Sequence, residues 1–159
     1  MEVEMTLHNY LHESVRLLAC AARSWTEQLV ADISTMGSAL GAGEPLLVCG
    51  NGGSACDAMH NSGELVDRFI LGRRARNVIC LSSNPAVLTP WANDYSYDTV
   101  FCRQTEPYGQ AGGVIPGIST SGTSQNVVAA FEQARSMGMQ TIALTGEGGN
   151  SRTRSSGPE

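Results

Sequence analysis

The sequence predicts an α/β protein, a three-layer, doubly wound parallel sheet preceded by a helical segment. From residue 45 onward, short apolar runs alternate with amphipathic segments, and turns of glycine or hydroxyl residues separate them. Strands that alternate with helices of this length favour a parallel sheet with helices on both faces. We therefore interpret residues 1–149 as one domain, with N-terminal helices over 5–41 and an α/β core over 45–146.

The N-terminal segment is predicted to be helical because its apolar residues recur at helical spacing. These residues are Leu7, Leu11, Val15, Leu18, Leu29, Ile33 and Met36. The sequence GAGEP at 41–45 then ends the helical pattern.

Four apolar runs are predicted to be strands: 46–50, 77–82, 113–119 and 141–146. Pro116 lies in the third run, where the missing N–H of proline favours an edge strand or a bulge. Residues 150–159 have no apolar periodicity and are predicted to be disordered. Because no further strand or helix follows the fourth run, we expect the last part of the fold to be missing.

The composition excludes several kinds of site. The 159 residues carry a formal net charge of −5, and all ten basic residues are arginine. Without lysine there is no Schiff base, no pyridoxal phosphate anchor and no Walker lysine. A phosphate must therefore be held by backbone amides, hydroxyl groups or arginine.

Charge, hydropathy and cysteine content also limit the partners and the compartment. The acidic balance argues against a nucleic-acid partner, although four arginines lie close together between residues 68 and 76. No apolar run is long enough to cross a membrane, and the polar, acidic N-terminus does not resemble a signal peptide. Five scattered cysteines predict free or buried thiols in a reducing cytoplasm.

The sequence LLVCGNGGSA at 46–55 predicts a strand, a glycine turn and the start of a helix. Glycine permits close approach of the backbone to a ligand, and a helix start offers unpaired N–H groups to an anion. A turn needed only for the connection is the alternative. Gly50, Gly52 and Ala55 also fit the dinucleotide pattern GxGxxA, but no acid ends the second strand, so nicotinamide binding is not favoured.

The helix after this turn separates apolar and polar residues onto opposite faces. The apolar face comprises Ala55, Ala58, Met59, Ser62, Leu65, Val66 and Phe69. On the polar face, His60 and Glu64 are one turn apart and can reach one metal or one substrate. A solvated surface is the alternative, and the spacing does not decide between them. His8 and His12 share the spacing but have no glycine turn nearby, so we interpret them as surface or packing histidines.

A second turn, GISTSGTSQNVV at 117–128, places five hydroxyl residues at a predicted helix start. Such a cluster suits a phosphate monoester, because hydroxyl and amide groups can replace lysine as donors. The alternative is an N-cap, which needs only one such residue.

These motifs, together with AND at 92–94 and MGMQTIALTG at 137–146, resemble the sugar isomerase (SIS) domain family over about residues 5–148. Within the family they are most similar to the phosphoheptose isomerases. The resemblance implies a flavodoxin- or Rossmann-like fold and a cytoplasmic homotetramer. It also implies interconversion of sedoheptulose 7-phosphate and D-glycero-D-manno-heptose 7-phosphate through an enediol, for lipopolysaccharide or other glycans.

The resemblance further implies roles for individual residues. His60 and Glu64 would bind zinc, one ion per subunit, and Glu64 would move the proton. Family members complete this site with a glutamine and a histidine on a later helix, so we expect the zinc site to be incomplete here. The implied substrate-binding residues are Asn51, Gly52, Gly53, Asn93, Asp94, Ser119, Thr120, Ser121 and Ser124. The alternative function is a non-catalytic SIS module that binds a phosphosugar or a protein such as a replication initiator.

Overall fold

The structure, a computed structural model, describes residues 2–70 and 72–146. The chain forms two compact units, one ending at Thr35 and one beginning at Met36. The tail predicted to be disordered, 150–159, lies outside the described residues. Within the described part of the chain, no helix is long and apolar enough to cross a membrane.

The N-terminal segment is helical, as its periodicity predicts. Helix α1 spans Glu2–Ser24 and helix α2 spans Thr26–Ala42. None of the residues of α1 is buried, and its apolar residues Leu7, Leu11, Val15 and Leu18 are all exposed. The stripe that predicted the helix is therefore not covered by the described residues.

The second unit is built on a four-stranded parallel sheet, which confirms the predicted α/β class. The strands are β1 (Leu46–Gly50), β2 (Val78–Cys80), β3 (Val114–Ser119) and β4 (Gln140–Thr145). The helices are α3 (Gly53–Val66), α4 (Pro85–Asp94), α5 (Val100–Tyr108) and α6 (Gln125–Ser136), and a 3-10 turn at Tyr97–Thr99 precedes α5. The strand order β2-β1-β3-β4 reverses direction between β1 and β3. Ligands of such sheets bind at the carboxyl ends of the strands at this reversal.

Both faces of the sheet are covered by apolar side chains. Successive residues of β1 point to opposite faces, so Leu47 and Cys49 join one core cluster while Leu46 and Val48 join the other. Phe101 and Phe131 lie in the first cluster and are fully buried. The two clusters confirm the three-layer arrangement. All five cysteines are free, as predicted.

Helix α3 only partly buries its predicted apolar face. Ala58 is fully buried, whereas Met59 and Val66 are exposed. Phe69 was predicted to share this face, but the helix ends at Val66, so that part of the prediction is wrong. The described residues cover only part of the face that the helical period predicts.

Pro116 lies inside β3, a central strand, so the expectation of an edge strand or a bulge is wrong. The N–H of Val114 donates to the carbonyl of Pro45, beside β1, at 2.9 Å. Since N–H directions alternate along a strand, the missing N–H of Pro116 also faces β1. Pairing with β4 continues through Pro116, which lies opposite Ile142. The proline thus removes a single bond from one side of the strand.

Candidate functional site

The first glycine turn joins β1 to α3 and leaves the start of that helix open. Gly52 precedes α3 with a φ of 55°, in the left-handed region that favours glycine. No side chain caps the helix. The N–H groups of Ala55 and Cys56 already donate to the carbonyl of Gly52 at 3.0 and 3.3 Å. The two N–H groups before them, those of Gly53 and Ser54, are the ones available to a ligand.

Gly50 permits this helix to begin directly against the strand. A Cβ atom at Gly50 would lie 2.8 Å from the carbonyl oxygen of Ser54, closer than real Cβ contacts. The turn is also tied to the end of β2, because the Gly50 N–H donates to the Ser82 hydroxyl at 3.1 Å and that hydroxyl donates to the Gly50 carbonyl at 2.8 Å. The backbone around the turn is therefore fixed on two sides.

The hydroxyl-rich turn joins β3 to α6 and is held by its own side chains. The hydroxyls of Ser119 and Ser124 are 2.9 Å apart. The Ser121 hydroxyl accepts from the N–H of Thr123 at 3.2 Å and from its hydroxyl at 3.0 Å. Thr120 and Ser121 are exposed, whereas Ser119 is buried. The buried hydroxyl shapes the turn, and the exposed ones face outward at its tip.

The N-cap alternative for this second turn is wrong. Ser124 precedes α6, yet no side chain makes a capping hydrogen bond to the helix. Helix α4, which follows β2, is different: the side-chain Oδ1 atom of Asn84 accepts from the N–H of Ala86 at 3.1 Å. The two helix starts beside the sheet's reversal point are thus both without a side-chain cap, which is the condition for binding an anion there.

Two side-chain amides bridge the turns. Asn51 donates to the Oδ1 atom of Asn126, and Asn126 donates to the Oδ1 atom of Asn51, both at 2.9 Å. The hydroxyl of Tyr97 also donates to Oδ1 of Asn51 at 2.9 Å. Asn51 was predicted to contact substrate, whereas Asn126 and Tyr97 were not singled out. Nothing in their local sequence shows that either would meet the first turn.

His60 and Glu64 lie one turn apart on α3, as predicted. Their Nε2 and Oε1 atoms are 3.9 Å apart, and their side chains are 74% and 34% exposed. The guanidinium of Arg73 donates to the backbone carbonyls of Glu64 and Leu65 at 3.0 and 2.8 Å, which satisfies the last turn of the helix. The imidazole is therefore open to solvent or to a partner, while the carboxylate is partly shielded.

This pair lies far along the helix from the glycine turn. Glu64 follows Gly53 by eleven residues, and with a rise of about 1.5 Å per residue the two positions are separated by roughly 16 Å along the axis. Within residues 2–70 and 72–146, no group of three or more His, Cys, Asp or Glu side chains could hold a metal ion. A catalytic zinc site takes three protein ligands, so the described residues alone do not form one.

Asn93 and Asp94 lie at the exposed end of α4, where the Asn93 amide donates to the Asp94 carboxylate at 2.8 Å. The preceding turn of this helix is held by Trp91, whose indole N–H donates to the hydroxyl of Thr99 at 2.9 Å. His8 and His12, by contrast, have ring centroids 4.4 Å apart on the exposed surface of α1. The histidine pair fits its interpretation as surface residues.

Comparisons with known proteins agree on one family. The SIS domain family model matches residues 9–146. The phosphoheptose isomerase of Crocosphaera subtropica is 52% identical over 108 residues, which are 68% of this chain and 55% of that protein. The phosphoheptose isomerase of Akkermansia muciniphila is 47% identical over 131 residues, 82% of this chain and 68% of that protein. The structure of a phosphoheptose isomerase from Neisseria gonorrhoeae matches with a TM-score of 0.85 and 36% identity, over 92% of this chain and 77% of that one. The match to the first of these curated relatives thus covers little more than half of that protein's length.

Proposed function

The chain belongs to the SIS domain family, and from that premise we propose that it is a phosphoheptose isomerase. Its reaction is the interconversion of sedoheptulose 7-phosphate and D-glycero-D-manno-heptose 7-phosphate, which supplies heptose for lipopolysaccharide or other glycans in the cytoplasm. The observation that carries this proposal is the pair of helix starts, α3 and α6, which lie beside the sheet's reversal point without a side-chain cap.

The phosphate of the sugar binds at the hydroxyl-rich turn. The exposed hydroxyls of Thr120 and Ser121 and the first N–H groups of α6 are neutral donors to a dianion, and the dipole of α6 favours its charge. The absence of lysine from the chain agrees with this mode of binding. The glycine turn, joined to this one through Asn126, supplies further donors to the sugar hydroxyls from Asn51, Gly52 and Gly53, and Asn93 and Asp94 are proposed to contact the substrate from α4.

Glu64 moves the proton in the proposed reaction. Its carboxylate removes a proton from C1 of the ketose, and the C2 carbonyl oxygen takes up the negative charge as the enediolate forms. The hydroxyl proton of O1 is then transferred to O2, and the carboxylate returns its proton to C2, which leaves O1 as the aldehyde oxygen. Partial shielding of Glu64, which is 34% exposed, suits a base that exchanges a proton with substrate. Zinc at His60 and Glu64 stays a prediction, since the described residues supply only these two ligands.

The separation between Glu64 and the glycine turn favours a site shared between copies of the chain, as in the homotetramer that the resemblance implies. Because about 16 Å of helix separates the two ends of α3, we propose that one complete site takes its two turns from one copy and its proton-transfer end from another. The exposed stripe of Leu7, Leu11, Val15 and Leu18 on α1 offers an apolar surface for such an assembly.

Deuterium exchange tests the proposed chemistry. We expect the 159-residue chain, incubated with zinc and sedoheptulose 7-phosphate in D₂O, to incorporate deuterium at C1 or C2 of the sugar, as measured by NMR. Glu64→Gln keeps the shape of the side chain but removes the base, so exchange should slow by about 10²- to 10⁴-fold. The matched control is Glu132→Gln, an exposed glutamate on α6, which should exchange at the unaltered rate.

Calorimetry with the same sugar phosphate separates binding from chemistry. Ser121→Ala should weaken binding about tenfold or more, because a hydrogen bond to a charged group is lost. Ser136→Ala, which removes a hydroxyl bonded only to the carbonyl of Gln133 at the other end of α6, should have no effect. Binding without exchange would support the non-catalytic module instead, and the absence of both would refute the proposal.

A further inference from the structure

The amide bridge between the two turns joins residues that are far apart in sequence and close in space. Asn51 and Asn126 are separated by 75 positions, and each side chain both donates to and accepts from the other at 2.9 Å. Asn126 is 3% exposed. A buried amide is costly unless it is hydrogen bonded, so the pair constrains both backbones strongly.

A count of donors and acceptors shows what the bridge leaves free. A side-chain amide has two N–H donors and an oxygen that accepts twice. One N–H and one acceptor site of Asn51 are used by Asn126, and the second acceptor site is used by the hydroxyl of Tyr97. One N–H of Asn51 remains. Turning the Asn51 amide alone would place oxygen against oxygen and nitrogen against nitrogen, so both contacts with Asn126 would be lost.

The bridge also lies at the right place to act on a ligand. Asn51 directly follows β1 and precedes the open start of α3, and Asn126 is the second residue of α6. Tyr97 belongs to the 3-10 turn after α4 and is half exposed. Side chains from two other segments, α6 and the 3-10 turn, therefore fix the amide of Asn51.

We propose that Asn126 and Tyr97 are positioning residues, which hold the Asn51 amide so that its remaining N–H donates to an oxygen of the sugar. This inference rests on the proposed function, because it requires a sugar phosphate to span the two turns. Neither positioning side chain needs to touch the ligand. Both side chains act on the sugar and not on its phosphate group, so they distinguish a sugar phosphate from inorganic phosphate.

A double-mutant cycle tests whether Tyr97 acts through Asn51. The dissociation constants of sedoheptulose 7-phosphate are measured by calorimetry for the unaltered chain, Tyr97→Phe, Asn51→Ala and the double variant. We expect Tyr97→Phe to weaken binding about fivefold in the unaltered chain, the usual effect of one hydrogen bond, and to have no effect once Asn51 is alanine. Tyr95→Phe, which removes the hydroxyl of an exposed neighbour, is the control and should bind as the unaltered chain does.

A second experiment distinguishes loss of the positioning contacts from a general loss of structure. Asn126→Leu removes both amide contacts without adding charge, and we expect it to weaken the sugar phosphate about tenfold while leaving inorganic phosphate within about twofold, as followed by NMR titration. The inference would be overturned if Asn126→Leu weakened the binding of both ligands equally, or if Tyr97→Phe weakened binding equally with and without the Asn51 side chain. The proposed function would stand in either case. No binding of the sugar phosphate by the unaltered chain would overturn both.

Discussion

Gly50→Ala gives a direct measure of how closely α3 begins against β1. The added Cβ atom would lie 2.8 Å from the Ser54 carbonyl oxygen and 2.9 Å from the Ser54 carbonyl carbon and Cβ atoms. Ordinary contacts begin near 3.4 Å, so the first turn of α3 must move by about half an ångström or more. Such overpacking costs about 1–3 kcal/mol of unfolding free energy. For a chain of this size the melting temperature should fall by roughly 3–10 °C.

The matched control for this change is Gly41→Ala. A Cβ atom at Gly41, in α2, meets nothing within 4 Å, so alanine should add about 0.5–1 kcal/mol of stability through its better helix propensity. Both changes restrict the unfolded chain equally, so the difference between their unfolding free energies isolates the effect of the contact with Ser54. Urea unfolding followed by circular dichroism measures both. If the two variants differ by less than about 0.5 kcal/mol, the close approach does not constrain the turn.

Two further predictions concern the core and the assembly. Complete burial raises the pKa of the Cys49 thiol to about 12, with a further contribution from Cys80. As the pH rises from 9 to 10, the thiol ionises in the unfolded chain but not in the folded one. The free energy of unfolding should therefore fall by about 1 kcal/mol more in the unaltered chain than in Cys49→Ala. Sedimentation equilibrium should show a multiple of the 16.8 kDa chain mass, reduced by Leu11→Asp but not by Asn9→Asp, which adds the same charge to an exposed position on the opposite face of α1. A monomeric unaltered chain would contradict the proposed assembly.

The strands were predictable because strands buried on both faces appear as continuous apolar runs. The predicted run 46–50 coincides with β1, and the run 113–119 differs from β3 by one residue. The expectation for Pro116 was wrong because the sequence does not show which of the two neighbouring strands the N–H at that position would face. In this parallel strand its loss affects only the side toward β1, and the pairing with β4 is intact.

The site was predictable where its chemistry is local and not where it depends on distant contacts. Glycine and hydroxyl residues after β1 and β3 mark helix starts within a few residues of chain, so both turns were found. Asn126 was missed because its partner lies 75 positions away. The exposure of Met59 and Val66, 42% and 46%, was missed because periodicity shows which residues share a helix face but not whether anything covers that face.

The bridge between Asn51 and Asn126 also has a consequence for folding. Contacts between residues so distant in sequence require a long loop to close, and the entropy lost in closing it makes them slow to form. An unfolded chain offers neither turn in the right place, so a ligand that spans them binds the native state alone and stabilises it by RT ln(1 + [L]/Kd). A sugar phosphate would thus act as a pharmacological chaperone for the whole sheet, protecting strands that it never touches.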